Sequence, residues 1–184
     1  MFKITETPIS GLNLVENKTH ADSRGTFARL FCEEMLASIL NGRHIVQINR
    51  STTHLAGAVR GMHFQHPPHA EMKFVRCLRG RVFDVAVDLR KGSPTFLNWY
   101  GVELSADKQL VFAIPEGIAH GFQVLEKDSE LLYLHTAAYV AHAEGSIAHN
   151  DPRIAIKWPH AVTQVSARDK SHPPLDDHFQ GLTI

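Results

Sequence analysis

Apolar and polar residues alternate with a period of two through most of the stretch from 45 to 139. The clearest run is 81–89, with Phe83, Val85, Val87 and Leu89 on one face and Asp84, Ala86 and Asp88 on the other. Related runs predict strands over 45–51, 73–79, 98–105, 109–114, 120–126 and 131–139. Turn signals separate them: Arg79-Gly80, Lys91-Gly92-Ser93-Pro94, Ala106-Asp107-Lys108, Pro115-Glu116-Gly117 and Lys127-Asp128-Ser129. One helix is predicted over 33–40, where Met35, Leu36, Ile39 and Leu40 recur at helical spacing before Asn41-Gly42 stops the run. Many short strands with almost no helix between them predict an all-β fold. An antiparallel jelly-roll barrel with a few short helices suits the pattern, because its interior can hold a small ligand. Past Trp158-Pro159 the periodicity fades. Residues 1–184 are expected to form one domain, with 160–184 as a C-terminal tail packing on the barrel.

Composition removes several function classes. Lys+Arg and Asp+Glu are equal at 19 each, so no basic footprint for nucleic acid stands out. No apolar run approaches the roughly 18 residues of a membrane span, and the N-terminal residues do not read as a secretion signal. A cytoplasmic location without membrane or nucleic-acid partners is expected. Cys32 and Cys77 are the only cysteines, which excludes a Cys-x-x-Cys zinc knuckle and argues against a disulfide framework.

The chemistry concentrates in 60–73, which holds Arg60, His63, His66, His69, Glu71 and Lys73 around Pro67-Pro68. One reading is a barrel metal site using His63, His66, His69, Glu71 and the later His120. Strand parity opposes it, since His63 and His66 face opposite ways on an extended segment, and Pro67-Pro68 forces a turn. His66 and His69 are then assigned to a loop at the pocket mouth. The other reading is proton transfer next to a ketone, which needs a base, a donor at the developing enolate oxygen and an acid. His63, Lys73 and Tyr133 fill those roles. Tyr133 shares a strand face with His135, while His63 and His120 are placed at strand starts. Asp84 either belongs to a polar strand face or supports His63 from within the barrel. His54, His142, His160, His172 and His178 are read as surface residues, and Ser93-Pro94-Thr95 and Asn150-Asp151-Pro152 as turns.

Blocks along nearly the whole chain resemble the dTDP-4-dehydrorhamnose 3,5-epimerase family. They include Asp22-Ser-Arg24-Gly25-Thr-Phe27, Gln47-Ile-Asn49-Arg-Ser51, Arg60-Gly61-Met-His63-Phe-Gln65, Lys73-Phe-Val-Arg76-Cys77, Ile114-Pro115-Glu-Gly117-Ile-Ala-His120-Gly121-Phe122, Glu130-Leu-Leu-Tyr133 and Glu144-Gly145. The resemblance implies a cupin-type jelly roll, dimeric, with neither metal nor organic cofactor, acting on a nucleotide sugar. It implies His63 as general base, Asp169 as its partner, Tyr133 as general acid and Lys73 as the enolate donor. It further implies His120 in the pocket and Arg60, Gln47, Asn49 and Glu144 at sugar and phosphate. Arg24 would be given across a homodimer interface, Tyr139 would stack on the base, and Arg168 would stand beside Asp169. The expected reaction is inversion at C3 and C5 of a dTDP-4-keto-6-deoxyhexose, as in dTDP-L-rhamnose biosynthesis. The alternatives are inversion at one carbon of another nucleotide 4-keto sugar, a metal-dependent cupin oxygenase or isomerase, and a non-catalytic sugar-nucleotide binder. The chain departs from the family pattern at Arg29 and His149.

Overall fold

The computed structural model describes residues 2–184. Thirteen strands build it: β1 (Lys3–Glu6), β2 (Asn13–Glu16), β3 (Thr19–Asp22), β4 (Gly25–Ala28), β5 (Gln47–Thr53), β6 (Val59–Gln65), β7 (Lys73–Arg79), β8 (Arg81–Asp88), β9 (Trp99–Ser105), β10 (Leu110–Ile114), β11 (Ile118–Val124), β12 (Ser129–His135) and β13 (Glu144–Ser146). A six-stranded sheet runs β1-β2-β10-β7-β12-β5, and a five-stranded sheet runs β13-β6-β11-β8-β9. Strand pairing is antiparallel throughout both, as expected for a jelly roll. The β3–β4 hairpin stands apart as a two-stranded sheet. Among the described residues no helix is long and apolar enough to cross a membrane.

The predicted strands are present, with ends displaced by up to four residues. The 33–40 helix breaks into a 3₁₀ turn, Glu34–Leu36, and one α turn, α1 (Ala37–Leu40), which ends at Asn41 in the left-handed conformation (φ 47°). The segment at 59–65 is itself a strand, so His63 lies inside β6 rather than at a strand start.

Three apolar clusters place the cavity. One fills the space between the sheets, with Val75, Cys77, Val82, Ala86, Leu104, Phe112 and Leu131 buried against each other. A second lies on the outer face of the five-stranded sheet, where Val85, Val87 and Leu89 meet Ile154, Leu182, Trp158, Leu175 and Phe179 of the C-terminal segment. The third sits on the outer face of the six-stranded sheet, where Phe74, Val111 and Leu134 meet Leu36 and Leu40. Burying each such large side chain stabilises the fold by roughly 1.5–3 kcal/mol.

This layering decides what the two faces of 81–89 meet. Its apolar face points outward and is covered by the tail, while Asp84 faces into the barrel. Both aspartates are fully buried. Asp88 accepts hydrogen bonds from Arg90, Ser93 and Thr95, which hold its carboxyl at about 2 against the opposing effect of burial.

Between β6 and β11 the backbones approach unusually closely. A Cβ on Gly61 (φ 118°) would lie 2.6 Å from Gly121 Cα, and one on Gly121 would lie 2.8 Å from the Arg60 carbonyl. Two facing glycines therefore set the spacing that brings His63 opposite His120 in register. Gly121→Ala is expected to cost at least about 2 kcal/mol through overpacking, lowering Tm by roughly 4–8 °C. Gly92→Ala meets nothing within 4 Å and adds only the left-handed strain of φ 75°, roughly 1–2 kcal/mol, so it should cost less. Equal melting shifts in thermal denaturation would refute the close-approach account.

Candidate active site

His63, Lys73, His120, Tyr133, Asn49, Arg60, Tyr139 and Glu144 line one cavity of about 570 Å³ between the sheets. His63 and His120 come from the five-stranded sheet, and Lys73 and Tyr133 from the six-stranded one. Opposite sheets therefore present the histidine and the tyrosine to the two sides of anything bound between them.

The tail reaches the site through a short helix, α2 (Ala167–Lys170), capped by Ser166, whose Oγ accepts from the Asp169 amide at 3.0 Å. Asp169 is 5% exposed. Its Oδ1 lies 2.8 Å from His63 Nε2, and its Oδ2 accepts from the Gly61 amide at 3.2 Å. A carboxylate at Nε2 holds the proton there and leaves Nδ1 as the basic nitrogen. Burial pushes the His63 ring below its usual 6.5, and the hydrogen bond and charge of Asp169 pull it partly back. The ring is accordingly neutral and able to accept a proton near neutral pH.

Tyr133 meets the Ser51 hydroxyl at 3.2 Å. Burial pushes its phenol well above the usual range, so it stays protonated and serves as a donor. His120 Nε2 is 2.7 Å from Asp84 Oδ1, and the His120 and Tyr133 ring centres are 6.1 Å apart. Asp84 therefore supports His120, not His63. Burial raises the Asp84 carboxyl, with His120 opposing.

At the rim, Arg168 pairs with Glu144, and the Tyr139 hydroxyl donates to Glu144 at 2.8 Å. The Gln47 side chain accepts from the Tyr139 amide at 3.0 Å, so Gln47 acts on the rim from behind. Tyr139 itself is 53% exposed. Arg24 lies outside this cavity, on the β3–β4 hairpin, paired with Asp22 at 2.6 Å.

Two residues read otherwise from the sequence, Glu71 and His172, belong here. Glu71, taken first as a metal ligand, contacts both Lys73 (3.2 Å) and His135 (2.7 Å). The shared face of Tyr133 and His135 was the signal that could have found that pair. His172, read as a surface residue, is half-buried beside the dyad, with Nδ1 2.8 Å from Ser146 Oγ and Nε2 3.9 Å from Asp169. His63, Asp169 and His172 are the group among the described residues whose donor atoms lie close enough together for a metal. His66 and His69 turn away from it, onto Phe64 and His142. The His149 carbonyl accepts from the Trp158 indole at 3.0 Å, and Arg29 is exposed near Met35.

Residues 6–177 match the family model of dTDP-4-dehydrorhamnose 3,5-epimerase. The chain is 42% identical to the dTDP-4-dehydrorhamnose 3,5-epimerase of Salmonella typhimurium, covering 96% of this chain and 97% of that one. Its structure resembles dTDP-6-deoxy-D-glucose-3,5-epimerase from Legionella pneumophila in complex with dTDP-4-keto-L-rhamnose, with TM-score 0.93, 37% identity and 100% and 99% of the two chains covered. It also resembles a 3'-monoepimerase from Streptomyces bikiniensis in complex with dTDP-quinovose, with TM-score 0.85, 32% identity and 91% and 85% covered. With this cavity, this fold and this similarity over nearly its full length, the chain belongs to the dTDP-4-dehydrorhamnose 3,5-epimerase family.

Proposed function

We propose that this protein inverts C3 and C5 of a dTDP-4-keto-6-deoxyhexose, supplying a sugar of the dTDP-L-rhamnose type. The observation that carries the reading is a His63–Asp169 dyad on one wall of the cavity with a protonated Tyr133 on the other. His63 Nδ1 takes the proton from C5 and later from C3. The C–H electrons move into the ring and onto the C4 oxygen, where Lys73 stabilises the enolate. Tyr133 returns a proton from the opposite face, and both side chains recover their starting states by exchange with solvent. His120 lines the pocket. Arg60, Asn49 and Glu144 surround the sugar and its phosphates, Gln47 and Arg168 hold the rim through Tyr139 and Glu144, and Tyr139 stacks on the base. These side chains supply base, oxyanion donor and acid, so the scheme needs no metal or organic cofactor. The working unit is a cytoplasmic homodimer. The outlying β3–β4 hairpin, carrying Arg24 and a 72% exposed Phe27, and the unpaired β5 edge with exposed Ile48 support that assembly.

His63→Ala is expected to lose at least about 10²-fold in rate and all solvent deuterium uptake at both carbons, while retaining dTDP affinity. Normal uptake read by NMR in heavy water would remove His63 as the base. Tyr133→Phe should still wash out the C5 proton yet fail to release the inverted sugar, and full inversion by that variant would exclude it as the acid. Label at only one carbon in the wild type would assign the single-carbon reaction instead.

The pH dependence follows from the dyad. The base works when neutral, and burial lowers its affinity for protons, so the acidic limb of kcat/KM should lie below 6.5. Asp169→Asn removes an effect that raises it and should move the limb lower still, with a smaller kcat. A limb that moves upward in that variant would contradict the dyad's electrostatics.

A further inference from the structure

Glu71 sits between two basic side chains on the six-stranded wall. Its Oε1 is 3.2 Å from Lys73 Nζ, and its Oε2 is 2.7 Å from His135 Nδ1. Glu71 is 8% exposed at its side chain, and Lys73 and His135 are each 10% exposed. On its far side, His135 Nε2 faces the Asn49 side-chain amide nitrogen at 3.3 Å. An amide nitrogen only donates, so Nε2 accepts and Nδ1 carries its proton toward Glu71. The Tyr133 ring stacks beside His135, with centres 6.1 Å apart and planes 16° apart, and so steadies the imidazole plane. A directed chain results: Asn49 donates to His135, His135 donates to Glu71, and Lys73 donates to the same carboxylate.

We propose that Glu71 and His135 are positioning residues that keep Lys73 charged and aimed at the cavity, Glu71 by direct pairing and His135 by fixing Glu71. The proposal rests on the reading of Lys73 as the enolate donor. Its physical basis is that burial disfavours a lone ammonium, and a neutral amine stabilises an oxyanion poorly. Lys73 has three N–H donors. One meets Glu71, another points to the His63 carbonyl at 3.4 Å, and the third is left for a ligand. Burial works against an ionised Glu71. The hydrogen bond from His135 and the charge of Lys73 outweigh it and hold the carboxyl below its usual range.

Other charges face the same space. They are His63 and Arg60 from β6, Asp84 from β8, His120 from β11, Glu144 from β13 and Arg50 from β5. Asp84 is already tied to His120, and Glu144 to Arg168 and Tyr139. That leaves Glu71 as the carboxylate in direct contact with Lys73.

The test follows the Lys73 side-chain ¹⁵N resonance against pH in the full-length protein, assigned by its loss in Lys73→Arg. It is run beside the pH profile of deuterium uptake into a dTDP-4-keto-6-deoxyhexose. Glu71→Gln keeps the shape but removes the charge. It should lower the Lys73 midpoint by at least one pH unit and move the alkaline limb of kcat down with it. At pH values above the wild-type midpoint kcat should fall about tenfold for each unit of that shift, with KM changed less than threefold. His135→Ala should shift the midpoint in the same direction by less. His135→Asn, whose amide can occupy the place of Nδ1–H, should restore it. An unchanged Lys73 midpoint in Glu71→Gln would overturn the proposal, as would lost activity accompanied only by a lower Tm. If the midpoint falls while the wild type exchanges no sugar proton, the positioning role stands and the enolate reading fails.

Discussion

Much of this structure turns on one carboxylate. Asp169 accepts from the His63 ring and from the Gly61 amide, joining the C-terminal segment to the strand that carries the proposed base. At Gly61 the strand also lies closer to β11 than side chains would permit, which the facing Gly121 allows. The same tail covers the apolar outer face of β8. Closing the core and orienting the histidine are therefore a single packing event. A hydrogen bond to a charged group typically contributes about 1.5–3 kcal/mol, so removing Asp169 should affect both stability and chemistry.

The cavity illustrates how a barrel keeps charges inside. Each buried ionisable group next to the ligand space has a partner of opposite tendency: Asp169 with His63, Asp84 with His120, and Glu71 with Lys73 and His135. Burial alone would neutralise these carboxylates. Pairing lets them keep the neighbouring bases oriented while the free ring or ammonium edge faces the cavity. Tyr133 is the counter-example. It lacks a cationic partner in contact, so burial keeps its proton in place, as an acid requires.

Strand positions were legible because alternation is a local property. Its meaning was not, because β8 is buried on both sides. Phe83 and Val85 look like a core face, yet they pack under the tail, and Asp84 looks solvated, yet it is fully buried beside the cavity. His172 and Glu71 failed for a related reason. Each finds its partners in distant strands, and a run of His, Pro and Glu in 60–73 suggested metal ligation before those partners were visible.

By itself, the sequence determined the all-β class, the strand order along the chain and, through motifs spread from Asp22 to Asp169, the family and the residues most suited to proton transfer. Those are matters of period, residue type and spacing. Only the tertiary structure decided that Asp84 serves His120, which face of β8 looks inward, and that Glu71 and His135 stand behind Lys73. Those choices depend on sheet pairing across separations such as the 36 residues between Asp84 and His120. No local pattern encodes them, because a side chain's chemistry is set by what the folded chain brings within about 3 Å of it.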